Sequence, residues 1–192
     1  MPPNQGKELL SIARNAIALT LSVAYRLDVD ERAPWLQEIG ACFVTLMQNG
    51  QLRGCIGSLE AQRSLLMDVK RNAVAAALND PRFMPLCAAE FDDVDIEISV
   101  LSPMLLMEVR NEADALAQLR PGIDGIVFEY GCYRSTFLPQ VWEELQQPRL
   151  FLGWLRRKAG LPADFWSEQV KLSRYTVTKW READDMEEYL NG

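Results

Sequence analysis

The 192-residue sequence contains no histidine. Ser-His-Asp and Cys-His catalysis are therefore excluded within the chain, as is any site with imidazole metal ligands. The four cysteines, Cys42, Cys55, Cys87 and Cys132, include no CxxC pair. The usual zinc and thioredoxin spacings are thus missing, and a reduced protein is expected. No Gly-rich phosphate loop of the Walker or dinucleotide type occurs. No stretch approaches the roughly 18 apolar residues needed to cross a bilayer, and the start, MPPNQGKELL, lacks a charged segment followed by an apolar run. A soluble cytoplasmic chain with no membrane association, metal or cofactor is the expectation. Basic residues are also in deficit, 20 against 27 acidic, and a formal charge of −7 disfavours nonspecific binding to phosphate backbones. The deficit is uneven. Between Arg149 and Arg181 the basic residues, including Arg156, Arg157 and Lys158, face only Asp164 and Glu168, which leaves a local basic face open to an acidic partner or RNA.

With 48% apolar and 24% charged residues, the composition is that of an ordinary globular protein, long enough for one large domain. From Lys7 to about Tyr25, Leu10, Ala13, Ile17, Leu21 and Ala24 recur at helical spacing. ACFVTLMQ then runs almost continuously apolar, as expected of a strand buried on both faces. Asn49-Gly50 follows, and a type I′ turn needs positive φ at both central positions, which these residues tolerate best. The stretch NGQLRGCIGSLE is therefore read as a hairpin return. Counting outward from Gln48 opposite Gln51 pairs Leu46 with Arg53, Val44 with Cys55 and Cys42 with Gly57.

SLLMDVKRNAVAAALND reads as a helix capped by Ser64, with Asp68 suited to its early turns and Leu66, Val69, Ala73 and Ala76 along one face; Asp80-Pro81 stops it. VDIEISVLSP alternates strictly, with Val94, Ile96, Ile98 and Val100 opposed to Asp95, Glu97, Ser99 and Leu101, so Glu97 and Ser99 are expected in solvent. A short helix spans Glu112 to Leu119, a second hairpin turns near Gly131, and helices cover Pro139 to Leu145 and Arg149 to Ala159. VKLSRYTVTKW is read as one late strand, and the tail with Glu182, Asp184, Asp185, Glu187 and Glu188 as an exposed acidic helix or frayed end. Helices and hairpins interleave without a βαβ rhythm, which predicts an α+β fold with a mixed or mainly antiparallel sheet flanked by helices.

LRGCIGSLE, DVKRNAVAAALNDPRFMPL, VDIEISVLSP, GIDGIVFEYG, TFLPQVWEE, FLGWLRRKAGL and RYTVTKWRE, in that order, resemble the AMMECR domain family, known in prokaryotes as AmmeMemoRadiSam system protein A. The match spans nearly the whole chain. It implies one AMMECR-like domain over residues 1–192, with a main lobe from both chain ends, a smaller lobe from the middle and a cleft between them; the sequence does not place the lobe boundary. It also implies a Memo-like protein and a radical SAM protein as partners, and a place in RNA or protein modification. Carried over by position, the family signature covers Arg53, Gly54, Cys55, Ile56 and Gly57, supported by Asn72, Asp80, Pro81, Arg82 and Phe83. In GCYRST this chain lacks a histidine that some members carry.

Alternation puts Arg53, Cys55 and Gly57 on one face of the strand and Leu52, Gly54 and Ile56 on the other. A guanidinium on that face lies about 6–7 Å from the sulfur at ~3.3 Å per residue, close enough to favour thiolate. The opposing reading is a buried structural cysteine among Val44 and Leu46, as unpaired cysteines are commonly packed. Cys42, diagonal to Cys55 in this register, is a possible resolving thiol, although a diagonal of about 7–8 Å is long for a disulfide. Gly54 and Gly57 mark either close packing by the alanine-rich helix or room for a ligand. Asp80 and Arg82 form either a local ion pair or, with Arg53, an anion clamp.

Two function classes follow. One is a binding or accessory module that recognises an anionic group or a partner peptide near Arg53, Gly54, Gly57, Asn72, Asp80 and Arg82. The other is a cysteine-dependent transferase or hydrolase with Cys55 as nucleophile and Arg53 as stabiliser. RNA binding through Arg149 to Arg181 is a third reading, set against the net charge.

Overall fold

The computed structural model describes residues 4–184, so Asp185, Glu187 and Glu188 of the acidic tail lie outside the described residues. In chain order the elements are helix α1 (Gln5–Leu21), the single turn α2 (Pro34–Gln37), strands β1 (Ile39–Gln48), β2 (Gln51–Gly57) and β3 (Arg63–Ser64), helix α3 (Leu65–Leu78) and strands β4 (Val94–Leu101) and β5 (Leu105–Leu106). Helix α4 (Glu112–Gln118), strands β6 (Gly125–Tyr130) and β7 (Tyr133–Phe137), helix α5 (Pro148–Lys158) and strands β8 (Lys171–Tyr175) and β9 (Val177–Arg181) complete the fold. The chain forms two compact units, Met1–Leu101 with Thr178–Gly192, and Ser102–Val177. Helices on antiparallel sheets make the fold α+β, as the interleaved pattern predicts.

In the first unit the sheet order is β2-β1-β4-β9, with β3 paired to the start of β1. Asn49 and Gly50 both have positive φ, 51° and 75°, which builds the tight turn that joins β1 to β2. The expected pairing holds at the turn, where Gln48 faces Gln51 and Met47 faces Leu52, and then changes. A β-bulge leaves Arg53 without a partner, so Gly54 faces Leu46, Cys55 faces Thr45, Ile56 faces Val44 and Gly57 faces Phe43. One inserted residue reverses which face each side chain joins. Gly54 and Ile56 thus share the core face with Cys42, Val44 and Leu46, and Cys55 joins Phe43 and Thr45 on the other.

Four other expectations are corrected. Strand β1 is not buried on both faces: Cys42, Val44 and Leu46 are buried and Phe43, Thr45 and Met47 are half-buried. Glu97 and Ser99 of β4 are buried rather than solvated. The late segment is two strands in different sheets, because Thr176 is held between them by Ser102, whose N–H donates to the Thr176 carbonyl at 2.9 Å and whose Oγ accepts the Thr176 N–H at 3.0 Å. Helix α1 also ends early, at Leu21, where Ser22 takes a left-handed conformation.

Helices α1 and α3 cover the core face of this sheet, burying Leu9, Ile12, Ile17, Val69 and Ala73 against Val44, Leu46, Ile96 and Ile98. Each large aliphatic removed from water there contributes about 1.5–3 kcal/mol. The alanines of α3 let its backbone approach β2 closely. A Cβ on Gly54 would lie 2.1 Å from the Ala76 carbonyl oxygen. In the second unit the sheet order is β5-β8-β6-β7, and Phe128, Phe151, Leu152, Leu155 and Leu172 form a separate core.

Gly54→Ala is therefore expected to cost about 3 kcal/mol or more, since a backbone carbonyl cannot rotate away as a side chain would. Urea unfolding measures this, and a midpoint equal to that of the parent contradicts the close approach.

Candidate functional site

Strand β2 lies at the edge of its sheet, and an edge leaves backbone groups to be satisfied from elsewhere. The turn after α3 satisfies them. Asp80, 4% exposed, accepts the Cys55 N–H at 2.8 Å through Oδ2 and the Arg82 N–H at 3.1 Å through Oδ1. Arg82 returns to the same carboxylate, with Nε 2.9 Å from Oδ1 and Nη2 2.6 Å from Oδ2, and Nη2 also donates to the Cys55 carbonyl at 3.2 Å. The pair occupies both outward backbone groups of Cys55, as a neighbouring strand would. The Arg82 guanidinium holds the Asp80 carboxyl well below the usual carboxylate range, outweighing the opposite effect of burial, and the Cys55 and Arg82 N–H groups act in the same direction as Arg82.

A second carboxylate fixes the next turn. The bulge aims Arg53 at Glu90, with Nε 2.9 Å from Oε1 and Nη2 3.1 Å from Oε2, while Nη1 donates to the Met84 carbonyl at 2.9 Å. Glu90 Oε2 also accepts the Cys87 N–H at 3.0 Å. Arg53, then Cys87, draws the Glu90 carboxyl down from 4.5 to about 2. Arg53 and Arg82 thus flank the same strand, and each is already paired with a carboxylate of the chain.

The thiol of Cys55 is half-buried on the non-core face, where Thr45 Oγ1 donates to its Sγ at 3.3 Å. The raised basicity of Arg82 comes first from Asp80 and in smaller part from Cys55, which puts the guanidinium within electrostatic reach of the thiol. The expected cross-strand neighbour Val44 is on the other side of the sheet, and so is Cys42. A Cys42–Cys55 redox pair is therefore ruled out by topology. Cys42 is fully buried, and burial pushes its thiol well above the ordinary range. On β4, Thr45 faces Glu97, which is 8% exposed and takes Arg181 at 2.8 Å and Lys179 at 3.1 Å. Burial raises the Glu97 carboxyl, but these cations bring it below its ordinary value.

Among the remaining signature residues, Asn72 is buried on the core side, where its amide donates to the Cys42 carbonyl at 3.0 Å and to Asp68 at 3.0 Å. Gly54 faces Ala76, and a Cβ at Gly57 would lie 2.2 Å from the Phe43 ring, so the chain itself fills the space above both glycines. Sequence reasoning missed Thr45, Glu90 and Asp68. The three-residue spacing from Cys87 to Glu90 is a capping-box signal that could have shown Glu90. Asp68, read as a helix-dipole residue, instead accepts the Cys42 N–H at 2.9 Å, Ser58 Oγ at 2.7 Å and Arg63 at 2.7 Å. In the second unit Arg156, expected on a basic surface, is buried.

Among the described residues no helix is long and apolar enough to cross a membrane, and no group of three or more metal-ligating side chains is assembled. Fold and site together define an α+β protein whose edge strand is pinned by two carboxylate–guanidinium pairs. The chain belongs to the AMMECR1 family, which matches residues 10–180. A protein of Methanothermobacter thermautotrophicus is 38% identical over 183 residues, covering 93% of this chain and 95% of that one. A protein of Aeropyrum pernix is 39% identical, covering 93% and 79%. The crystal structure of an uncharacterized protein, PH0010 from Pyrococcus horikoshii, matches with a TM-score of 0.77 at 33% identity, covering 95% of this chain and 93% of that one.

Because Glu90 titrates at about 2 in the fold and near 4.5 when unfolded, its pairing stabilises the protein fully above pH 4.5 and is lost as pH falls from about 4.5 to 2. Glu90→Gln should lower the urea midpoint at pH 7 and flatten the acid decline across that window. A variant with the parent's pH profile contradicts the pairing.

Proposed function

We propose that the chain is a binding module, an accessory component of a protein or RNA modification pathway, that receives an anionic group or a partner peptide at β2 and the Asp80–Glu90 segment. The observation that carries this reading is the state of the two carboxylates bonded around β2. Arg82 and Arg53 hold Asp80 and Glu90 ionised and fully engaged, and the chain has no histidine, so neither carboxylate is poised to exchange a proton at neutral pH. What the site offers is a rigid pattern of contacts. The Arg82 side chain is 54% exposed and keeps Nη1 without a partner among the described residues, beside Phe83, over whose ring the guanidinium sits at 5.5 Å. A guanidinium held in place by its own carboxylate loses little entropy when it receives a carboxylate or a peptide carbonyl. The pathway, and the Memo-like and radical SAM partners, rest on the family resemblance.

The contact from Thr45 Oγ1 to Cys55 Sγ favours a second reading, in which Cys55 is the nucleophile of a transferase or hydrolase and Arg82, rather than Arg53, stabilises the thiolate. Iodoacetamide labelling separates the two in a Cys87→Ser/Cys132→Ser background, which removes the exposed thiols. The binding reading expects Cys55 to label slowly at neutral pH, with a rate that climbs steadily to alkaline pH. A rate already on its plateau below pH ~7.5 overturns it in favour of catalysis.

A further inference from the structure

The second unit carries a cavity of about 270 Å³ on the outer side of α5. The core side of this helix is complete, with Phe151, Leu152 and Leu155 fully buried. Yet the opposite side holds two more large apolar residues, Leu150 and Trp154, which are 50% and 49% exposed. Arg149 and Arg157 lie on the same side at helical spacing, and the Arg157 guanidinium sits 5.1 Å above the Trp154 ring. Trp and Arg are the residue types that dominate binding hot spots.

Arg156 lines the same cavity and is 1% exposed. Its Nη2 donates to Glu112 at 2.6 Å and Nη1 to the Ala163 carbonyl at 2.7 Å, and both of those residues also line the cavity. Its Nε is buried with no hydrogen-bond partner. Arg156 is thus committed to the wall of the cavity, and the exposed Arg149 and Arg157 are the cations that an entering carboxylate meets.

We infer that this cavity docks an acidic segment of a partner protein, which packs a leucine- or phenylalanine-sized side chain against Leu150 and Trp154 and sets its carboxylates against Arg149 and Arg157. The inference is independent of the β2 reading. Charge complementarity selects the occupant: Arg149, Arg156 and Arg157 outweigh Glu112 and Asp164 in the lining, on a chain whose formal charge is −7. The apolar pair and the two acidic lining residues favour a peptide over RNA, whose continuous phosphates would meet both carboxylates.

Selection of a displayed library of short random peptides on the full chain tests this, followed by fluorescence anisotropy of one selected peptide. The expected sequences join Asp or Glu to Leu or Phe, and Arg149→Glu/Arg157→Glu should weaken binding about tenfold or more while leaving the thermal unfolding curve in place. If that double variant does not fold, Trp154→Ala supplies the same comparison. Selected peptides without acidic enrichment, affinity unchanged in the variants, or an oligouridine probe that binds this face more tightly than the peptide would each overturn the inference.

Discussion

Asp80 is a carboxylate in a place from which water is nearly excluded, so its charge has to be answered by the chain. Arg82 and the N–H groups of Cys55 and Arg82 answer it, and in doing so they join the turn after α3 to the edge of the sheet. Much else in this region depends on that junction. It closes the outward backbone of β2, fixes the Arg82 guanidinium against the Cys55 carbonyl, and starts the segment that returns to Arg53 through Glu90. Pro81 makes the turn rigid by fixing its own φ.

The same device recurs along the chain. Arg14 pairs with Glu182, Arg63 with Asp68, Arg120 with Asp124 and Arg156 with Glu112. Individually exposed pairs contribute little, but those with a buried partner fix geometry, because breaking them leaves a charge stranded. In a chain with more acidic than basic residues, most arginines are committed to internal carboxylates. The chemistry left for partners is then carried by the uncommitted edge of a paired guanidinium, such as Arg82 Nη1, and by the exposed arginines of α5, Arg149 and Arg157.

Local signals were legible in the sequence. Asn49-Gly50 marks the turn, Ser64 accepts the Met67 N–H as the cap of α3, and the alternation that separates Gly54 and Ile56 from Cys55 and Gly57 is real. What the sequence could not show was which side of β2 faced the core. The bulge at Arg53 breaks the period-two pattern between Leu52 and Gly54 and shifts the match of the rest of β2 to β1, so an error of one residue exchanges buried for accessible. The packing of α3 decides the matter, because only the core side of β2 leaves a glycine under Ala76. Glu97 was misplaced for a related reason: its partners Lys179 and Arg181 lie on β9, and β9 is a separate strand only because Ser102 takes both backbone groups of Thr176.

The Asp80 carboxylate, acting as a substitute neighbouring strand, holds β2 in the form that presents Cys55 and Arg82. Amide hydrogen exchange at Cys55, followed by NMR in the parent and in Asp80→Asn, tests it most directly. Strong protection of the Cys55 amide is expected in the parent, lost in the variant while the amides of β1 keep theirs. A Cys55 amide that exchanges rapidly in the parent, or is equally protected in both proteins, would contradict it.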